Sequence, residues 1–216
     1  MIVGERKPIQ EILAVLASSR RVLVLGCGAC VTVCLSGGER EAHEVAALLN
    51  LRGYEAEYGV VERQCEKEFV MHAREAVTRA ETVLSLACGV GVQTLAELFP
   101  RVPVFPGLDT TFMGAPLEVG LWEERCIGCG ECIVHRFGGV CPVARCAKSL
   151  LNGPCGGSKN GRCEVRPERD CAWQLIYDRM KFLGRLEELL DIQPPKDWSP
   201  SRYGAQRKTI REDVRV

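Results

Sequence analysis

The chain has 216 residues, enough for one large domain or for a medium-sized domain with a small appendage. Its formal net charge is zero, which gives no reason to expect nucleic acid or an anionic membrane surface as a partner. The longest apolar runs have only the length of a strand, so we expect no membrane insertion. Thirteen cysteines without a secretory pattern predict cytoplasmic metal–thiolate chemistry rather than a disulfide scaffold.

The first hundred residues predict helices that alternate with strands. The helices are expected over residues 8–19, 38–51, 66–80 and 91–99, and the strands over 21–26, 54–61, 82–87 and 102–105. Such alternation implies right-handed crossovers and a parallel sheet, so the predicted class is α/β, Rossmann-like or flavodoxin-like. The proline- and glycine-rich segment 103–116 is interpreted as the exit from the sheet.

The first five cysteines follow the predicted strands. Cys27 comes directly after the first strand, with Cys30 and Cys34 in the next loop, while Cys65 follows the second strand and Cys88 the third. Because the carboxyl ends of parallel strands share one edge of a sheet, we expect these thiols to converge there. Cys27, Cys30, Cys65 and Cys88 are the preferred metal ligands, with Cys34 close behind them. The alternatives are five separate buried thiols or an independent enzymatic activity at this edge.

The turn after the first strand is similar to a dinucleotide-binding fingerprint. It reads Gly26-Cys27-Gly28-Ala29-Cys30-Val31, with two of the three glycines and a valine in place of the third. Cysteines stand where a pyrophosphate would approach. We therefore interpret the turn as a metal site in the place of a nucleotide site.

Eight further cysteines predict a second group of metal ligands: Cys126, Cys129, Cys132, Cys141, Cys146, Cys155, Cys163 and Cys171. The first three, at two-residue spacing on a glycine-rich turn, are the arrangement that wraps an iron–sulfur cubane. The Cys-Pro at Cys141 is similar to the end of a bacterial ferredoxin run, although eight residues separate it from Cys132. Eight thiols make two sites of four, either two [4Fe–4S] clusters or one cluster and one zinc ion. The spacing leaves the pairing open.

Three segments are predicted from these patterns. Residues 1–118 would form the α/β domain, and residues 119–191 a ferredoxin-like or zinc-type cysteine-rich module. Since residues 126–166 show little periodicity, bound metal would supply much of that module's stability. A helix is expected from Glu168 to about Leu190, with Cys171 in its first turn. The tail, residues 192–216, would be disordered or bound to a partner.

Long cysteine motifs resemble the methylenetetrahydrofolate reductase C-terminal domain family. They are Cys141-Pro-Val-Ala-Arg-Cys146-Ala-Lys-Ser-Leu-Leu-Asn-Gly-Pro-Cys155-Gly-Gly and Asn160-Gly-Arg-Cys163-Glu-Val. Shorter motifs extend the resemblance over residues 3–190: Gly26-Cys-Gly-Ala-Cys30, Val61-Glu-Arg-Gln-Cys65 and Ala87-Cys-Gly-Val-Gly-Val-Gln93.

The resemblance implies a non-catalytic subunit of an oxidoreductase complex in the one-carbon metabolism of the acetyl-CoA pathway. Its partner would be the flavin-containing methylenetetrahydrofolate reductase catalytic subunit, a TIM barrel that holds the FMN. This chain would carry two or three [4Fe–4S] clusters, or zinc in place of one. It would pass electrons to the partner's FMN from ferredoxin or a larger redox complex. The alternative is a structural zinc-binding assembly subunit without a redox role.

Overall fold

The computed structural model describes residues 1–202 and 205–215. The chain divides into two compact units, Met1–Trp122 and a second that begins at Glu123. The fold is α/β with a parallel sheet, an antiparallel sheet and a helix near the C-terminus, which confirms the predicted class. Within the described ranges, no helix is both long enough and apolar enough to cross a membrane.

The first unit contains seven strands and six helices among its described residues. In chain order they are β1 (Ile2–Arg6), α1 (Ile9–Val15), β2 (Arg21–Cys27), α2 (Cys30–Val33), α3 (Glu39–Leu51), β3 (Glu55–Val61), α4 (Lys67–Met71), α5 (Arg74–Arg79), β4 (Thr82–Leu86), α6 (Gly89–Leu98), β5 (Val104–Pro106), β6 (Leu108–Glu118) and β7 (Leu121–Cys126). The last strand runs across the boundary between the units.

Strands β2 to β5 form the parallel sheet in the order β3-β2-β4-β5. Counted along these four strands alone the order is 2-1-3-4, which is that of flavodoxin-like folds. Central strand β2 is buried on both faces. Val22 and Val24 pack with α1 and α3 on one face, and Leu23 and Leu25 pack with the opposite face. This explains why β2 is a continuous apolar run rather than an alternating one.

Residues 103–116, interpreted as the exit from the parallel sheet, do leave that sheet after β5, but they do so largely as a strand. Most of this segment belongs to the eleven-residue strand β6, which pairs antiparallel with β1, from Ile2 opposite Met113 to Arg6 opposite Leu108. Strand β7 completes this three-stranded sheet in the order β1-β6-β7. The sequence does not predict this strand, because prolines and glycines flank it and its partner is about a hundred residues away in the chain.

The helix predicted over 66–80 is two helices, α4 and α5. Between them His72 and Ala73 make backbone hydrogen bonds to residues three positions back, so the helix is interrupted by a tighter turn. Val70 and Val77 are both fully buried and anchor the two pieces to the same core cluster.

The second unit is built from short elements. They are a 3-10 helix (Val134–Phe137), α7 (Pro142–Arg145), α8 (Ala172–Phe182) and a further 3-10 helix (Leu186–Leu190). Its core cluster consists of Phe137, Cys171, Trp173, Ile176 and Met180. The Phe137 and Trp173 rings meet edge to face with centroids 5.8 Å apart, and the Trp173 indole donates to the Leu150 carbonyl at 3.0 Å.

The predicted helix 168–190 is too long at both ends. Helix α8 begins at Ala172, so Cys171 is the residue that precedes the helix and is not in its first turn. It ends before Gly184, whose φ of +67° is left-handed, and the Arg185 amide bonds back to the Met180 carbonyl. This is a Schellman-type termination, and the helical pattern beyond it is a separate 3-10 helix.

Candidate metal centres

One buried side chain organises the carboxyl ends of β2 and β4. Gln64 is fully buried, and its amide nitrogen donates to the carbonyls of Leu25 at 2.8 Å and Gly26 at 3.0 Å. Its carboxamide oxygen accepts from the Ser85 hydroxyl at 2.6 Å. Every polar atom of the carboxamide is thereby engaged by the sheet, and the next residue, Cys65, is held at the strand ends.

Three of the five cysteines of the first unit meet at this edge, which we call the thiol rim (Cys27, Cys65 and Cys88). Cys27 ends β2 and Cys88 immediately precedes α6. Cys65 is exposed, and the partial burial of its thiol raises its pKa above the usual value. The neighbouring thiols of Cys27 and Cys88 raise the pKa further, which places both close to Cys65.

The two remaining cysteines of this unit lie on the loop after β2. Cys30 begins the short helix α2, and Cys34 follows its end. Cys34 is buried, and its thiol donates to the Ile2 carbonyl of β1 at 3.5 Å. Burial raises the pKa of Cys34, and the nearby Cys30 thiol contributes in the same direction. Cys34 therefore lies against the antiparallel sheet, whereas Cys65 interacts with Cys27 and Cys88.

Two glycines allow the loop before α3 to cross the strand ends. A Cβ on Gly37 would lie 2.0 Å from the Leu86 carbonyl oxygen, and one on Gly26 would lie 2.9 Å from the Gly38 oxygen. The Cys27 amide donates to Gly37 at 2.9 Å across this contact. The close approach of the loop backbone to the ends of β2 and β4 fixes the position of Cys27 at the end of β2.

The turn that carries Cys126, Cys129 and Cys132 is the triplet loop, residues 126–132. Gly128 and Gly130 have φ values of +63° and +91°, a left-handed backbone that glycine adopts without strain. The Gly128 amide donates to the Cys126 sulfur at 3.3 Å, and the Cys129 thiol donates to the Glu131 carbonyl at 3.4 Å. The glycines thus let the chain turn tightly between the thiols.

An ion pair connects the strand before the triplet loop with the helix after Cys141. Arg145 of α7 donates to both oxygens of Glu123 on β7, at 3.2 and 3.0 Å. Cys141 precedes α7, and its sulfur accepts from the Ala144 amide at 3.4 Å. Glu123 lies three residues before Cys126, and Arg145 lies on the helix that follows Cys141. Their partly buried ion pair therefore links the start of the triplet loop with Cys141.

The other four cysteines of the second unit line one small cavity, the cysteine cavity: Cys146, Cys155, Cys163 and Cys171. Its volume is ≈ 20 Å³, about the space of one water molecule. The Cys163 amide donates to Arg169 at 3.0 Å and the Cys171 amide to Gly161 at 2.7 Å, so the two segments that carry these cysteines run side by side. Lys148 and Glu164, also on the cavity wall, form an ion pair beside Cys155.

These groups contain the donor atoms that soft metals prefer. Thiolates bind zinc and iron–sulfur clusters, and each group offers four of them or nearly so. Among residues 1–202 and 205–215, no three Cys, His, Asp or Glu side chains already converge on one metal position. The donor chemistry fits a metal at each group, and the thiols would close on it when it binds.

Sequence reasoning missed the residues that position the cysteines. Gln64 precedes Cys65 in a motif whose predicted function rests on the cysteine alone, and no role is predicted for Glu123. The hydroxyl of Thr110, on the unpredicted strand β6, accepts from the Gly89 amide at 2.8 Å and holds the residue after Cys88. A glutamine beside a cysteine at a strand end was the available signal for Gln64.

Comparison with known protein families identifies the second half of the chain. Residues 105–199 match the family described as methylene-tetrahydrofolate reductase C terminal. This part of the chain is similar to that family. The match contains all eight cysteines of residues 126–171, confirms the resemblance inferred from their motifs, and associates the chain with methylenetetrahydrofolate reductase. Comparisons with curated proteins and with solved structures gave no match.

Proposed function

We propose that the chain is an iron–sulfur electron-transfer accessory subunit of a methylenetetrahydrofolate reductase complex. The observation that carries the proposal is the family match over a segment with eight cysteines, in a chain with five more on the first unit. Electrons would enter from ferredoxin or a larger redox complex and leave to the FMN of the catalytic partner subunit. This chain would bind no flavin itself.

The proposal assigns three ligand sets. The ion pair between Glu123 and Arg145 supports Cys141 as the fourth ligand beside the triplet loop. The lining of the cysteine cavity supports a second set, and the thiol rim, with Cys30 from the loop after β2 as the proposed fourth ligand, supports a third. The sets are Cys126, Cys129, Cys132 and Cys141; Cys146, Cys155, Cys163 and Cys171; and Cys27, Cys30, Cys65 and Cys88.

The chemistry at these sites is one-electron transfer. A thiolate-bound iron–sulfur cluster takes up and releases single electrons at a potential set by its charge, hydrogen bonds and solvent exposure. The chain's own contribution is to supply the thiolates and to hold them. Of the two basic residues that flank Cys146, Arg145 pairs with Glu123 and Lys148 with Glu164, so each positive charge near the thiols is partly neutralised.

Metal analysis of the anaerobically purified chain tests the proposal. We expect iron and sulfide for two or three clusters and an electron paramagnetic resonance signal on reduction. Cys129→Ser and Cys65→Ser should each lose about one cluster, roughly four iron atoms, whereas Cys34→Ser, at the thiol against β1, should keep the full content. Iron below one cluster per chain after reconstitution would refute electron transfer.

A second candidate is a structural zinc-binding assembly subunit. The small volume of the cysteine cavity favours it, since ≈ 20 Å³ accommodates one ion without moving the surrounding core. This function predicts stoichiometric zinc, no reducible signal, and flavin reduction that is unaffected by cysteine substitution once the complex is assembled. Iron and zinc content, measured on the same sample, separates the two candidates.

A further inference from the structure

The C-terminal tail contacts the triplet loop through two cationic side chains. The Lys196 ammonium donates to the Glu131 carbonyl at 3.0 Å and to the Glu131 carboxylate at 3.2 Å. The Arg207 guanidinium donates to the Gly128 carbonyl at 2.9 Å and also to the Pro200 carbonyl at 2.9 Å. Glu131 lies between the second and third cysteines of the loop, and Gly128 lies between the first and second. The tail therefore makes a hydrogen bond to each of the two segments between the cysteines.

The tail also lies directly on the loop backbone. A Cβ added to Gly130 would stand 2.4 Å from the Pro200 carbonyl oxygen and 2.7 Å from the Pro200 Cβ. The side chain of Lys196 is only 3% exposed, although lysine is almost never buried unless it is paired. Its ammonium group also lies 5.8 Å from the centroid of the Trp198 ring. These are the contacts of a packed segment.

The beginning of the tail is anchored elsewhere in the second unit. Gln193 and Asn152 exchange two hydrogen bonds, from the Gln193 amide at 2.7 Å and from the Asn152 side chain at 3.0 Å. Arg136 donates to the Gln193 side chain at 2.6 Å. The tail is therefore fixed before it reaches the loop as well as on it.

We infer that residues 193–202 and 205–207 form a strap across the triplet loop, with Lys196 and Arg207 as the residues that position its three cysteines. A turn with two left-handed glycines has little stability of its own, and hydrogen bonds from two cations to its backbone restrict it. The strap follows from the contacts alone; its effect on a bound metal rests on the proposed function.

Hydrogen–deuterium exchange of the full-length chain tests the strap without reference to metal. In the double variant Lys196→Met and Arg207→Met, we expect the amides of residues 126–132 to exchange about tenfold faster, because charged hydrogen bonds to the loop are lost. Lys196→Arg in place of Lys196→Met should restore part of the protection. The matched control is Lys208→Met, which removes an exposed positive charge beside Arg207.

Iron release to a chelator from the reconstituted protein gives the second measurement. The double variant should lose the iron that depends on Cys129 faster than wild type, while iron that depends on Cys65 leaves at an unchanged rate. Exchange over 126–132 that equals that of Lys208→Met would overturn the strap. If the triplet loop binds no metal, the exchange difference remains and only the release difference disappears, so the two ideas fail separately.

Discussion

Gln64 is the residue on which the arrangement of the thiol rim depends most. In Gln64→Ala, the Ser85 hydroxyl and the carbonyls of Leu25 and Gly26 lose their partner in a fully buried position. We expect the free energy of unfolding to fall by about 2–3 kcal/mol, as for other buried polar groups left without a partner. Urea unfolding at constant metal content measures this.

The control for Gln64 is Gln93, an exposed glutamine that donates to the Gly89 carbonyl at 2.8 Å on the surface of α6. Gln93→Ala should change the free energy of unfolding by less than about 0.5 kcal/mol. Equal losses in the two variants would show that Gln64 contributes nothing beyond an ordinary surface hydrogen bond.

Glu81 gives the first unit a pH-dependent contact. Backbone amides of Arg20 at 2.9 Å and Arg21 at 3.2 Å donate to its carboxylate and hold the pKa of Glu81 below its usual 4.5. Because the folded pKa is lower than the unfolded one, the stabilisation is complete above the unfolded pKa. It disappears as the pH falls through the folded pKa.

Glu81→Gln should therefore lower the urea midpoint at about pH 7 and have no effect once the pH is below the folded pKa of the carboxyl group. Glu57→Gln, which changes an exposed carboxylate on β3, is the matched control and should show no such pH dependence. A Glu81→Gln effect that persists in acid would contradict the assignment to the ionised carboxylate.

At the scale of elements, the approach of the loop before α3 to β4 is the tightest constraint. Gly37→Ala would place a Cβ 2.0 Å from the Leu86 carbonyl oxygen, a backbone atom of a central strand that cannot move aside. We expect a loss of about 3 kcal/mol in the free energy of unfolding, at the upper end for overpacking.

Gly59→Ala on β3 is the comparison, since its Cβ would meet only the Leu25 side chain at an ordinary 3.7 Å. That variant should be neutral or slightly stabilising, within about 1 kcal/mol, because alanine restricts the unfolded chain. Similar stabilities for the two variants would mean that the loop moves away from β4 at little cost.

The elements that the sequence predicted well are those with local signals. The apolar run from Val22 to Leu25 predicts a buried strand, and the apolar stripe of α3 predicts a helix. Strand β6 has no such signal, because its place depends on β1 about a hundred residues earlier. Likewise the helical pattern continues past Gly184, and only the left-handed conformation of that glycine ends α8.

For the candidate sites, the sequence predicts where the cysteines lie relative to the strands but not how they group. Strand ends located the rim cysteines, since the edge of a parallel sheet is a topological consequence of alternation. The order of cysteines along residues 126–171 does not say which four belong together. That information lies in three-dimensional contacts, such as the ion pair of Arg145 with Glu123 and the common cavity of Cys146 and Cys171.

At the scale of the whole molecule, the two units have very different cores. The first has a cluster on each face of its parallel sheet, whereas the second has one cluster of five buried residues. A core that small supplies little stability without a metal. Chelation of the loaded protein should therefore abolish exchange protection in α8 while β2 and β4 stay protected.

Hydrogen–deuterium exchange before and after metal removal measures this difference between the units. Trp173→Ala removes the largest side chain of the second core. It should lower exchange protection in α8, as chelation does, and leave protection in the first unit unchanged. Simultaneous loss of protection in both units would contradict independent cores.

The unequal burial of the cysteines determines the order in which a reagent meets them. Cys155 is the one exposed cysteine of the cysteine cavity, whereas Cys146 and Cys163 are half-buried and Cys171 is buried. In the metal-free chain, iodoacetamide should therefore label Cys155 before Cys146, Cys163 and Cys171. A metal ion that approaches the cysteine cavity from solvent would likewise meet Cys155 before the three less exposed thiols.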